Sequence, residues 1–215
     1  MLRCVVTIAL AVALAASPAL ARERVAEAGP PASLVLVSGE IGASAAYGCG
    51  VIVREDRSSI TVLTAAHNLQ MRRLAVTTAA DERVHVTASE ALPGHDLALI
   101  TADRPWRRYA VAHPVGDAPL GARVSLWGPI ASEPFTPHAA VIRALDARAA
   151  DVPAGAFALD CAACGHGDSG TGVFNERGAL LGIVVASYAA DQTRVFVLAE
   201  RYGPDATVAV SPPRR

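Results

Sequence analysis

Beyond the first two dozen positions, apolar residues come in short, valine-rich runs broken by Gly, Pro, Asp or Asn. In the first half they are Ser33–Ser38, Gly50–Val53, Ile60–Thr64, Leu74–Thr78, Arg83–Thr87 and Leu97–Thr101. In the second they are Arg123–Trp127, Ala139–Leu145, Ala156–Leu159, Thr171–Phe174, Ala179–Ser187 and Arg194–Leu198. Runs of this length, bounded by turn residues, predict strands. The polar stretch Arg54–Ser59 predicts a hairpin turn, as does Asn175-Glu-Arg-Gly178. No stretch after the leader shows helical periodicity. A charged, proline-rich segment from Asp103 to Pro119 divides the strands into two similar halves, about 30–105 and 118–200. The pattern therefore predicts an all-β chain folded as a sandwich or as barrels.

The leader has a different character. Met1-Leu2-Arg3 is a short positive start, Cys4–Ala16 an apolar run, and Ala19-Leu20-Ala21 a small-x-small cleavage site. This predicts a signal peptide over residues 1–21 and a secreted or periplasmic mature chain. The run is too short and too rich in alanine to serve as a membrane span. A tail follows at 201–215, and its end, Ser211–Arg215, is expected to be disordered.

Composition narrows the classes. With 215 residues, 52% of them hydrophobic, the chain can bury one good core or fill two small fused barrels. A net charge of -1 gives no basic footprint for nucleic acid or for an anionic membrane surface. No nucleic-acid partner, and no membrane partner after signal removal, is expected. The mature chain would hold Cys49, Cys161 and Cys164. Outside the cytosol thiols tend to pair, and an odd number leaves one over. Cys161-Ala-Ala-Cys164 is the expected bridge by proximity, with a Cys49 bridge to either as the rival. A zinc site on Cys161, Cys164 and His166 would want a fourth ligand, and no second pair exists. Neither metal nor cofactor is expected.

One stretch could carry chemistry: Cys161-Ala-Ala-Cys-Gly-His-Gly-Asp-Ser-Gly-Thr-Gly172. Ser169 there is either a nucleophile or the tip of a glycine turn. Serine acyl transfer needs a base for the hydroxyl proton, an acid to orient that base, and N–H groups for the oxyanion. His67 follows a buried strand in Val-Leu-Thr-Ala-Ala-His-Asn and is the candidate base. Asp96 directly precedes the apolar strand in Gly-His-Asp-Leu-Ala-Leu, where an ionised carboxylate needs a hydrogen-bond partner. It is the candidate acid. The backbone N–H groups of Gly167 and Ser169 are the candidate oxyanion hole. The α/β-hydrolase arrangement, with histidine last, is excluded because no histidine follows Ser169.

Thr-Ala-Ala-His-Asn, His-Asp-Leu-Ala-Leu and Gly-Asp-Ser-Gly, in that order, resemble the three active-site blocks of the trypsin-like (chymotrypsin-fold) serine peptidases. Gly48–Val53 resembles the strand before the histidine block, and Gly178–Ser187 the strand that lines the substrate cleft. The resemblance implies two antiparallel six-stranded β-barrels with the active site in the crevice between them. It implies a serine endopeptidase of the bacterial secreted type acting on polypeptide substrates, with His67, Asp96 and Ser169 as the triad. It also implies Ala163 at the base of the specificity pocket, Ala186 and Ser187 on its wall, and His166 at its entrance. No acidic residue at 163 means that Arg or Lys at the cleaved position is not expected. Oligomeric state is not readable from the sequence.

The chain departs from the family in places. There is no new N-terminus of the Ile-Val-Gly-Gly type to pair with Asp168, so an internal arginine, Arg143, is the expected partner. The disulfide beside the histidine would need a cysteine at Asn68 to pair with Cys49. The alternative function is a catalytically silent chymotrypsin-fold binding protein, although the retained His and Ser favour the enzyme.

Overall fold

The computed structural model describes residues 30–114, 119–130, 133–149, 152–165, 167–191 and 194–201. The expected signal peptide, the tail beyond 201 and His166 lie outside the described residues. Each of the twelve apolar runs nucleates a strand. The first six are β1 (Leu34–Ile41), β2 (Ser44–Glu55), β3 (Ser59–Ala65), β4 (Arg72–Thr78), β5 (Arg83–Ala91) and β6 (Leu97–Asp103). The second six are β7 (Arg123–Ile130), β8 (Glu133–Ala149), β9 (Val152–Asp160), β10 (Gly172–Asn175), β11 (Leu180–Asp191) and β12 (Arg194–Arg201). Some strands outrun the runs that predicted them. β2 begins at Ser44 because Ser44–Tyr47 pair with Ser38–Ile41 of β1, although their own side chains are largely exposed.

Both sets close into antiparallel barrels. The first has the strand order β1-β2-β3-β6-β5-β4, with β4 returning to β1. The second has the order β10-β11-β12-β9-β8-β7, with β7 returning to β10. Closure removes the unpaired edges that an open sheet of this valine content would expose. Asn175 makes the turn predicted between β10 and β11. Its side-chain oxygen accepts from the N–H groups of Arg177 and Ala179, at 2.9 and 3.0 Å.

Each barrel has its own apolar filling. Val35, Val37, Ile52, Val62, Val76 and Ile100 fill the first. Leu126, Ile142, Phe157, Leu159, Val173 and Val184 fill the second. A third cluster joins Leu34, Val51, Leu63 and Leu97 of the first barrel to Trp127, Phe174, Leu180 and Ile183 of the second. Hydrophobic burial therefore holds the barrels together as well as filling each one. The linker does more than run over the surface. Ala112 N–H donates to the Ile52 carbonyl at 2.8 Å, and Leu180 N–H to the His113 carbonyl at 3.3 Å. The linker is thus tied to a strand of each barrel.

Candidate active site

β3 is buried along nearly its whole length and delivers the chain into a 3₁₀ helix, Ala66–Gln70. That helix carries His67. β3 pairs with β6 in register from Ser59↔Asp103 to Ala65↔Leu97, so the residue before β6 arrives beside the start of the helix. That residue is Asp96.

Asp96 grips the turn at three points. Its backbone carbonyl accepts from Ala66 N–H at 2.9 Å. Oδ1 accepts from the backbone N–H of His67 at 3.0 Å, and Oδ2 lies 2.7 Å from His67 Nδ1. An ionised carboxylate can only accept, so the proton on the ring sits on Nδ1 and Nε2 is left with its lone pair. The side chains of His67 and Asp96 are 37% and 23% exposed, so the pair lies at a surface cleft rather than in the core. The structure thus brings His67 and Asp96 into direct contact.

Ser169 lies in the loop between β9 and β10, half-buried. The peptide that follows it is held from both barrels. Its carbonyl accepts from Cys49 N–H at 2.7 Å and from Asn68 Nδ2 at 3.0 Å, both in the first barrel. Its N–H, that of Gly170, donates to the Val184 carbonyl of β11 at 2.7 Å. Gly170 has φ +89°, and a Cβ there would overlap the Cys49 carbonyl oxygen, so only glycine fits. Gly167, the other candidate oxyanion donor, has φ +99°.

Asp168 is almost wholly buried. Oδ2 accepts from Gly165 N–H at 2.7 Å, and Oδ1 is 3.7 Å from Nε2 of the equally buried His138. Burial pushes its carboxyl up to about 6, with the Gly165 hydrogen bond pulling the other way. Arg143, the expected partner, pairs instead with Asp160, its Nε and Nη2 both 3.2 Å from Oδ2. The reason is strand parity. His138, Ala140 and Ile142 of β8 are buried, whereas Arg143 falls on the opposite, outward face. The apolar run Ala139–Ile142 that follows His138 shows no polar–apolar alternation, so the sequence carried no signal that could have singled out His138.

The absent family disulfide would have joined position 68 to Cys49. Asn68 does not face Cys49. Its amide packs on the Cα of Gly48, where a Cβ would come within 2.5 to 2.8 Å of it. The Cys49 thiol points the other way, 3.7 Å from the Gly167 carbonyl oxygen and 4.0 Å from that of Trp127. Cys49 is free and buried, and burial pushes its thiol up to about 12, with the Asp168 charge adding to the rise. Cys161 and Cys164 form the expected disulfide. Ala163 is exposed within that disulfide loop, and Ala186 is half-buried on β11. The side chain of Ser187 lies outside the described residues, like the whole of His166. Among the described residues no group of His, Cys, Asp and Glu could hold a metal ion.

These barrels and this His–Asp pair are features of the chymotrypsin fold. Residues 48–183, more than half of the chain, match the family model described as a trypsin-like peptidase domain. The chain belongs to that family. Solved structures agree on the fold. The active form of the Rv3671c protease from M. tuberculosis is 23% identical, with a TM-score of 0.68 over 85% of this chain and 82% of that one. The inactive form of the Rv3671c protease is 24% identical, with a TM-score of 0.66 over 85% and 90%. The MamO protease domain from Magnetospirillum magneticum is 20% identical, with a TM-score of 0.61 over 80% and 92%. No curated protein matches the chain.

Proposed function

We propose that this chain is a secreted or periplasmic serine endopeptidase with Ser169 as nucleophile, His67 as general base and then general acid, and Asp96 as the orienting carboxylate. The observation that carries the reading is the double hydrogen bond from His67 to Asp96, through the backbone N–H and through Nδ1. It fixes both the tautomer and the angle of the ring.

Ser169 Oγ attacks the scissile carbonyl carbon and its proton passes to His67 Nε2. The N–H groups of Gly167 and Ser169 receive the oxyanion. The tetrahedral species collapses with the His67 proton going to the departing amine, which leaves an ester on Ser169. Water, deprotonated by the same imidazole, cleaves that ester and restores the serine. This chemistry needs no cofactor. The pocket residues Ala163, His166, Ala186 and Ser187 offer no carboxylate to a basic side chain, so a small or medium apolar residue is expected at the cleaved position. The Cys161–Cys164 disulfide supports an oxidising compartment outside the cytosol.

A fluorophosphonate probe tests the reading. Covalent labelling of Ser169 in the mature protein, abolished by His67→Ala, is the expected result. A folded mature protein that takes no label at neutral pH would instead be the binding protein of the alternative reading.

A further inference from the structure

Asn68 is a buried polar side chain one residue after the candidate base, and the triad chemistry gives it no role. Its contacts are specific. Nδ2 donates to Thr64 Oγ1 at 2.9 Å and to the Ser169 carbonyl at 3.0 Å. Thr64 in turn donates its hydroxyl proton to the Cys49 carbonyl at 2.6 Å. Thr64 Oγ1 and the Ser169 carbonyl therefore both face the amide with lone pairs. Only a group with two N–H donors on one nitrogen satisfies both, and this also fixes which end of the amide is nitrogen. Gly48 presses on the other flank of the amide and leaves it no second seat.

Tracing these bonds gives a continuous route from base to nucleophile. His67 is joined covalently to Asn68, Asn68 is hydrogen-bonded to the carbonyl of Ser169, and Ser169 carries the hydroxyl. The route crosses from the first barrel to the second. Apolar packing between barrels has no direction of its own and leaves sliding by a fraction of an ångström cheap, whereas a buried hydrogen bond penalises it.

We propose that Asn68 is a positioning residue: its amide ties the carbonyl of Ser169 to the histidine-bearing turn and so sets the distance from nucleophile to base across the barrel interface. The proposal rests on the proteolytic reading for its catalytic consequence, and on the hydrogen bonds alone for the coupling of the barrels.

The test uses Asn68→Asp in the mature protein. The replacement keeps the shape but, when ionised, sets a carboxylate oxygen against two acceptors. Loss of position on the scale of an ångström lowers rates about 10²-fold. A fall of that size in fluorophosphonate labelling and in kcat, with KM nearly unchanged, is expected at pH 8. The ratio of variant to wild-type rate should climb as pH falls, because a protonated carboxyl regains one donor. A wholly structural role would give no such pH trend in the folded fraction. Gly48→Ala supplies an independent push on the same amide and should lower kcat in the same sense. Two folded variants that label at the wild-type rate would overturn the positioning role. A wild type that takes no label overturns the proteolytic reading instead. The coupling is then read from thermal melting of Asn68→Asp, where a stability loss that shrinks at low pH supports it and an unchanged melting temperature overturns it.

Discussion

The Asp168 carboxylate lies 3.7 Å from the Nε2 of His138, and both side chains are almost wholly withdrawn from solvent, with Asp168 directly preceding Ser169. The groups around the carboxylate come from several elements. They are His138 of β8, the Cys49 thiol of β2 and the Gly165 N–H of the disulfide loop. Burial raises the carboxyl from 3.8 to about 6. A raised folded-state value means that the fold binds a proton the unfolded chain would have released. This group's contribution to stability is therefore full below about pH 4 and is lost as pH rises through about 6. A rise of that size corresponds to a penalty on the order of 3 kcal/mol at neutral pH. Asp168→Asn should raise the denaturation midpoint at pH 8, with the gain fading towards pH 4. A variant less stable than wild type at pH 8 would show that the ionised carboxylate is compensated in place.

Exchanging Asp96, the proposed orienting acid, tests a different link. Asp96→Asn leaves an amide able to present N–H where His67 Nδ1–H now donates, so the ring is driven to the wrong tautomer. In triads of this kind that exchange costs about 10⁴ in kcat. The expectation is a loss of that order at pH 7, with KM and the melting temperature moving far less. Steady-state peptide hydrolysis measures it, and a loss under tenfold would remove Asp96 from the triad.

The strands were legible because a short apolar run bounded by turn residues is a local signal, and His67 and Asp96 could be singled out because each lies just beyond an end of such a run. What escaped was contact across strands. Arg143 and His138 both lie on β8, and the choice between them turns on which face each occupies. That face is set by register, which shifts between Ile142 and Ala144 where β8 pairs with β9. Asn68 escaped for a related reason. Beside a histidine it reads as an ordinary turn residue, and its value comes from a carbonyl about a hundred residues away that the fold alone brings near. Nor did the sequence show that Gly48, not Cys49, faces position 68, because adjacent positions of β2 point to opposite faces.

The glycines on either side of β10 should not respond alike. Gly170→Ala would drive a methyl group into the Cys49 carbonyl while holding alanine at positive φ. A clash with backbone and an unfavourable dihedral together should cost roughly 2–5 kcal/mol. Gly178→Ala, at φ +76° in the β10–β11 turn with open space around it, meets only the dihedral cost of about 1 kcal/mol. Urea unfolding of the two variants should separate them. Equal losses would mean that the chain relaxes at Gly170 and that the peptide between Ser169 and Gly170 is not clamped as tightly as its hydrogen bonds to Cys49, Asn68 and Val184 indicate.

The thiols give a test of the packing beneath the same loop. Cys49 is withdrawn from solvent and its thiol is pushed up to about 12, so the thiolate that reacts with electrophiles is scarce and sheltered even at pH 8. Cys161 and Cys164 are bonded to each other. The mature chain, with the segment that carries Cys4 removed, should therefore consume almost no disulfide reagent while folded. It should consume one equivalent in denaturant, and three once a reductant has opened the bridge and been removed. Alkylation of folded protein at Cys49 would need Gly167 or Trp127 to give way, since the carbonyls of both line the thiol. Such labelling should bring a loss of fluorophosphonate reactivity at Ser169 with it. Rapid modification of native Cys49 with activity intact would contradict the buried placement of β2 under the Ser169 loop.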